Sequence, residues 1–274
     1  IFGGEIVAID AVDEQGRPAG LSRYGETLTG LSNEMLDPRE VSVWRDGSDG
    51  GEAVIRVVGT YRKIPFLLGS VGALFSEDVG FPAYIDYVLA PGSPRLEVRL
   101  GLLNNEAQSK DLSLFELYGF FHASRHEMFT NDRGYDDPRG SVDWVAFDGE
   151  DWGFVWRRPG GRMTFGVEES GFAIFLGSGG LEAPGCTLFE KTYYEIIAGG
   201  PQLDGLLAAL REVDGDESWR AITGRVTDHE GNGVVGTWIH VLDGDTYLSR
   251  TRTAEDGAYT VHAPGGTAVQ LVPQ

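Results

Sequence analysis

Short runs in which apolar and polar residues alternate, each bounded by turn-forming residues, recur along most of this 274-residue chain. Val54-Ile-Arg-Val-Val58, Ala83-Tyr-Ile-Asp-Tyr-Val-Leu89, Leu96-Glu-Val-Arg-Leu-Gly-Leu102 and Asp143-Trp-Val-Ala-Phe147 are four of them. A period of two sends successive side chains to opposite faces of an extended strand, so the pattern predicts an all-β protein. Leu96, Val98 and Leu100 are expected to face a core while Glu97 and Arg99 face away, as in a half-buried antiparallel strand. Ala90-Pro-Gly-Ser-Pro94 supplies the turn geometry that joins the two central runs into a hairpin.

One segment departs from this period. From Pro201 to Val213 the apolar residues Leu203, Leu206, Leu207, Leu210 and Val213 fall at helical spacing, with Asp204 near the start, Arg211 near the end and Gly215 as the stop. The spacing predicts one short amphipathic helix. It is followed by the polar linker Asp214-Gly-Asp-Glu-Ser218, and strand signals resume at Ala221, which places the best domain boundary at Ser218. The expected domains are therefore residues 1–218 and residues 219–274.

Charge and composition narrow the function classes. Lys+Arg number 22 against 42 Asp+Glu, a net charge of −20, which argues against nucleic acid and anionic lipid as partners, since both need clustered cations. Hydrophobic residues at 41% are enough for a core, so the chain is expected to fold despite its charge. The 40 glycines are scattered without a collagen period and signal many turns. Lysine occurs only at Lys63, Lys110 and Lys191, a bias that high-GC coding or a saline habitat would each produce. Cys186 stands alone, which excludes an intrachain disulfide, and it reads as an inert buried thiol. The longest apolar stretch, Ile64 to Phe75, is too short and too interrupted for a membrane-spanning helix. The chain begins at Ile1 without a signal peptide and reads as a piece of a larger or processed protein.

Two regions resemble known families. Ile222-Thr-Gly-Arg-Val-Thr-Asp228, Gly231-Asn-Gly-Val-Val-Gly236 and Thr251-Arg-Thr-Ala-Glu-Asp-Gly-Ala-Tyr259 resemble the carboxypeptidase regulatory-like, transthyretin-type β-sandwich. There, a strand, a tight turn at Gly231 to Gly233 and a second strand are followed by an Asp256-Gly257 hairpin that orients Tyr259. The region of resemblance is shorter than a full sandwich, which implies a truncated domain. Upstream, Tyr84-Ile-Asp-Tyr-Val-Leu-Ala-Pro-Gly-Ser-Pro-Arg-Leu-Glu-Val-Arg-Leu-Gly-Leu-Leu-Asn-Asn105 is similar to the central strand pair of galactose-mutarotase-like domains. That likeness implies a large antiparallel β-supersandwich over residues 1–218, joined by the helix to the small sandwich. The order of the two resembles the front of large exported bacterial proteins that continue into a metal-dependent phosphoesterase, whose H-x-H metal pair is absent from this sequence.

The candidate chemistry is sparse. The epimerases of the supersandwich group use two His and a Glu in an open sugar site, and His122, His126 and Glu127 are the residues here that could stand for them. The aromatic and Asn surroundings of the family's His residues are missing, so structural histidines are the favoured reading. Asp132, Asp136 and Asp137, like Asp243 and Asp245, form oxygen-rich turns able to hold Ca²⁺, though neither run has EF-hand spacing. No other cofactor is expected. Trp144, Trp152, Trp156, Arg157, Arg158 and Arg162 combine ring faces with guanidiniums, a composition suited to sugars or uronic acids. Trp152, Phe154 and Trp156 equally describe one row of a core. Neither a P-loop nor a G-x-S-x-G elbow occurs. The sequence thus reads as a non-catalytic scaffold or carbohydrate-interaction module of a larger exported bacterial protein, with further domains of the same parent chain as partners. A sugar-processing enzyme of epimerase or lyase type is the competing reading.

Overall fold

The computed structural model describes residues 35–62, 81–111, 114–121, 126–131, 134–135, 140–149, 152–159, 162–169, 172–179 and 182–274. In chain order the strands are β1 (Met35–Asp46), β2 (Ala53–Arg62), β3 (Phe81–Leu89), β4 (Arg95–Asn104), β5 (Lys110–Asp111), β6 (Leu114–Phe121) and β7 (His126–Phe129). Then come β8 (Gly140–Val142), β9 (Trp144–Gly149), β10 (Gly153–Arg157), β11 (Met163–Glu169), β12 (Phe172–Gly179), β13 (Glu182–Ala183) and β14 (Thr187–Gly199). Helix α1 (Gln202–Asp214) precedes β15 (Trp219–Arg225), β16 (Trp238–Asp243), β17 (Thr246–Arg252), β18 (Ala258–Pro264) and β19 (Gln270–Pro273). The chain is all-β, with one helix among the described residues. Its largest sheet has the order β1-β2-β3-β4-β14-β10-β9-β7, and β6-β12-β11-β8 form a second sheet of four strands.

Two compact units emerge. One comprises residues 1–125, 139–143 and 157–195, the other residues 126–138, 144–156 and 196–274. In the first, β1 to β4 form an antiparallel meander. Gly47 and Gly50, both at positive φ, turn β1 into β2, and Gly92 turns β3 into β4 at the predicted hairpin, closed by Ser93 N–H donating to Ala90 O. Register then sorts the side chains. Val57, Ile85 and Leu100 lie abreast, as do Gly59, Ala83 and Leu102, and this face is buried. The opposite face carries Arg56 abreast of Asp86 and Arg99, and Val58 abreast of Tyr84 and Gly101.

Buried Asn104 ends β4 with its amide satisfied. It donates to the Gln108 and Ala183 carbonyls and accepts from Glu106 N–H, fixing the loop after the strand. Cys186 corrects one expectation: it is exposed, not buried. It occupies a turn at positive φ, where its N–H donates to Glu106 O and the chain crosses close above Ala107, leaving the thiol on the outside.

In the second unit α1 forms where its spacing predicts. Gly215 caps it in the left-handed conformation, its N–H directed to the Arg211 and Glu212 carbonyls. Leu203, Leu206, Leu207 and Leu210 pack with Phe129, Ala146, Val155 and Ile197 into one core. Gly205 lets the first turn press against Gly200, where an added Cβ would lie 2.6 Å from the Gly200 carbonyl carbon. Asp204, buried in that turn, accepts from Ser249 Oγ at 3.0 Å, His262 N–H at 2.9 Å and His262 Nδ1 at 2.8 Å, so the helix is tied to β17 and β18. The small C-terminal sheets, β15-β18 and β17-β16-β19, close over Val241, Val261 and Ala263.

The turn at Asp256-Gly257 also differs from expectation. Gly257 N–H donates to Ala254 O, but the strands on either side are not paired with each other: β17 pairs with β16, and β18 with β15. The turn carries the chain from one sheet to the next. Tyr259 is oriented by a different glycine, lying over Gly224, where a Cβ would come within 2.4 Å of its hydroxyl.

Candidate ligand-binding face

The polar face of the β1–β4 meander gathers charged and aromatic groups in a layered arrangement. Arg56, the polar position in the apolar run of β2, donates from Nε to Asp86 Oδ1 at 2.7 Å and from Nη2 to Asp86 Oδ2 at 2.6 Å. This fork-to-fork pair fixes the guanidinium plane. The guanidinium lies 4.4 Å from the ring centre of Trp44 and 3.9 Å from that of Tyr84. Tyr84 lies flat because Gly101 is beneath it, and a Cβ at Gly101 would sit 2.1 Å from Tyr84 Cζ. Its hydroxyl donates to Glu190. The result holds an indole that is 56% exposed in one orientation.

The same face continues into an ion-pair chain. Arg99 donates twice to Glu97, at 2.9 Å each, and to both oxygens of Glu52 at 3.2 and 3.3 Å. Thr192 donates to Glu97, and Glu195 accepts from Arg95 at 3.0 Å and from Arg157 at 2.5 Å. Four guanidiniums thus meet the carboxylates of Glu52, Asp86, Glu97 and Glu195, while Glu190 accepts from the Tyr84 hydroxyl. The Arg99 hydrogen bond holds the Glu97 carboxyl below the ordinary range. Burial, together with the hydrogen bond to Glu190, pushes the Tyr84 phenol up to about 12. Neither group is poised to transfer a proton near neutrality.

The second unit has its own cluster. Arg250 donates to Asp148 Oδ2 from Nε at 3.0 Å and from Nη2 at 2.7 Å, and to Glu127. Its guanidinium is flanked by Tyr135 at 4.2 Å and Trp238 at 4.5 Å, and Tyr135 donates to Asp148 at 2.5 Å. Burial pushes the Asp148 carboxyl up, and Arg250 counteracts this. Phe129, Tyr135, Tyr247 and His240 continue the ring contacts, and His240 Nδ1 meets the Tyr247 hydroxyl at 2.5 Å. Half-buried His240 is pulled down by desolvation. These groups mainly engage one another, as a structural clamp does.

Where the structure describes them, the residues singled out in the sequence do not converge on one site. His122, Asp132, Asp136 and Asp137 lie outside the described residues. His126 and Glu127, adjacent on β7, point to opposite faces. His126 is buried, edge-on to Trp152 at 5.0 Å and near Phe154, whereas Glu127 is exposed and reaches Arg250. Trp156 is fully buried at 0% exposure, Trp144 is half-buried and stacked on Phe129, and Trp152 is half-buried. Arg157 is drawn to Glu195, half-buried Arg158 follows at the strand end, and Arg162 donates to Ser141 O and pairs with Asp143. Asp243 and Asp245 flank an exposed turn at Gly244. No group of three or more metal-ligating side chains occurs among the described residues. The Trp44, Arg56, Tyr84 and Asp86 assembly was missed. Its signal is a charged residue in the middle of each of two apolar strands, with opposite signs.

No protein-family model matches the chain, and no curated protein matches it. Among solved structures, it is similar to the alpha-galactosidase from Lactobacillus brevis at 9% identity and a TM-score of 0.37, over 69% of this chain and 29% of that one. The chain therefore spans less than a third of that protein, and a likeness this slight assigns neither activity nor substrate.

Proposed function

We propose that this chain is a non-catalytic carbohydrate-interaction module and scaffold of a larger exported bacterial protein, with the Trp44 face as its contact surface. The observation that carries this reading is the exposed indole held in place by Arg56, Asp86 and Tyr84. A preoriented ring with an open face stacks on the C–H face of a sugar without first losing side-chain entropy, and flanking carboxylates and guanidiniums accept and donate to hydroxyls. The carboxylates and guanidiniums are already matched, which suits neutral sugars better than phosphate.

Calorimetric titration with neutral and uronate oligosaccharides tests this, with tryptophan fluorescence in parallel. Binding is expected to be lost in Trp44→Ala and kept in Trp144→Ala, with no sugar product formed. Failure of every glycan to bind, or binding indifferent to Trp44→Ala, overturns it.

A further inference from the structure

β1 ends the order of the eight-stranded sheet and, among the described strands, is hydrogen-bonded only to β2. Its outer edge therefore presents main-chain donors and acceptors, a template for another strand. Val41 and Val43 on it are 59% and 68% exposed, and exposed Ile55 lies abreast of Val43 on β2. Edges of this kind are normally protected by charge. Here the charges are arranged differently.

Two observations make this edge complementary to itself. At a net charge of −20, two copies of the chain repel one another over most of their surface, yet residues 39–46 hold Arg39 and Arg45 against Glu40 and Asp46 and are neutral. The register supplies the second observation. Glu40, Ser42 and Arg45 lie opposite Val58, Arg56 and Val54, so the three share one face, while Val41 and Val43, opposite Val57 and Ile55, share the other. This holds because the register shift between Val43 and Arg45 absorbs Trp44 as an extra residue. In an unbroken strand Glu40 and Arg45 would point to opposite faces.

We propose that β1 pairs antiparallel with β1 of a second copy, about a two-fold axis through Ser42 perpendicular to the sheet. Such an axis keeps each side chain on its own face and makes the contact isologous. Glu40 then stands opposite Arg45 of the second copy and Val41 opposite its Val43, and symmetry repeats both pairs. Each side of the joined sheet gains matched neighbours: ion pairs on one face, apolar pairs on the other.

Sedimentation velocity of the full chain over a micromolar concentration range tests the proposal, with far-UV circular dichroism confirming that each variant is folded. A concentration-dependent dimer is expected. Val43→Lys, at an exposed position, weakens it roughly tenfold or more by placing a charge in the apolar pair. Glu40→Arg and Arg45→Glu each set like charges opposite one another and weaken it roughly fivefold, and the double exchange restores it. Arg45 also lies 3.9 Å from Glu52 within the chain, a contact Glu40→Arg leaves untouched. A monomer at every concentration overturns the proposal, as does a dimer indifferent to Val43→Lys or a double exchange that fails to restore association.

Discussion

Replacing Arg250 by Ala removes the cation from a deeply placed ion pair of the second unit. The Asp148 side chain is 1% exposed and that of Arg250 12%, so neither is well solvated. Two charge-assisted hydrogen bonds to Asp148 and the stacking on Tyr135 and Trp238 disappear together. The Tyr135 hydroxyl is the hydrogen-bond donor that stays with the stranded carboxylate. Breaking a buried pair in this way costs about 3–5 kcal/mol, against about 0–1 kcal/mol for an exposed pair. The Glu127 contact adds little because that side chain is largely in water. Urea unfolding followed by tryptophan fluorescence reads the loss.

The pH dependence carries a sign. Burial has raised the Asp148 carboxyl, and removing Arg250 raises it further, so the folded state binds a proton more readily than the unfolded chain. The Arg250→Ala protein should gain stability as pH falls from neutrality through the folded value towards the unfolded value near 3.8, narrowing its deficit. A loss under about 1 kcal/mol at neutral pH, or a deficit that widens on acidification, refutes the reasoning.

Three further outcomes are expected. Glu97, held low by the Arg99 hydrogen bond, contributes stability above the unfolded value of 4.5 that is lost as pH falls through the lower folded value; Glu97→Gln should flatten that part of the acid unfolding profile. Absorbance titration comparing the native chain with Tyr84→Phe should place the Tyr84 phenol at about 12, and Glu190→Gln should bring it down. Leu206→Ala empties part of the core beneath α1 and should cost about 2–5 kcal/mol in the same urea experiment, with the helical dichroism of the folded baseline preserved.

What the sequence makes legible here is local. The β3–β4 hairpin and α1 are visible because a turn residue or a helical period lies within a few positions of what it determines, and Gly92 and Gly215 act where they stand. The Trp44 face is not local. Arg56 meets Asp86 thirty residues away and Tyr84 meets Glu190 more than a hundred away, so nothing near either residue marks the pair. The aromatic and basic run from Trp144 to Arg162 misleads for the opposite reason. Its members are neighbours in sequence, but alternation along β10 buries Trp156 while Arg157 turns to Glu195.

The excess of arginine over lysine acquires a structural use once the strands are in register. Arg56 and Arg250 each donate two hydrogen bonds to one carboxylate while lying within 4.5 Å of the centres of two aromatic rings. A lysine ammonium is a point charge on a flexible stem: it cannot donate in a fork, and it has no plane to stack. In these positions Lys would lose either the paired hydrogen bonds to Asp86 or Asp148 or, at Arg56, the contact with the Trp44 and Tyr84 rings. Coding bias or habitat can raise the frequency of arginine, but neither places it beside two rings and a carboxylate. Arg56→Lys is therefore the conservative change that should loosen the Trp44 indole while keeping the charge. A red-shifted tryptophan emission without loss of folded dichroism would show it, and unchanged emission would mean that charge alone, not the shape of the guanidinium, maintains the face.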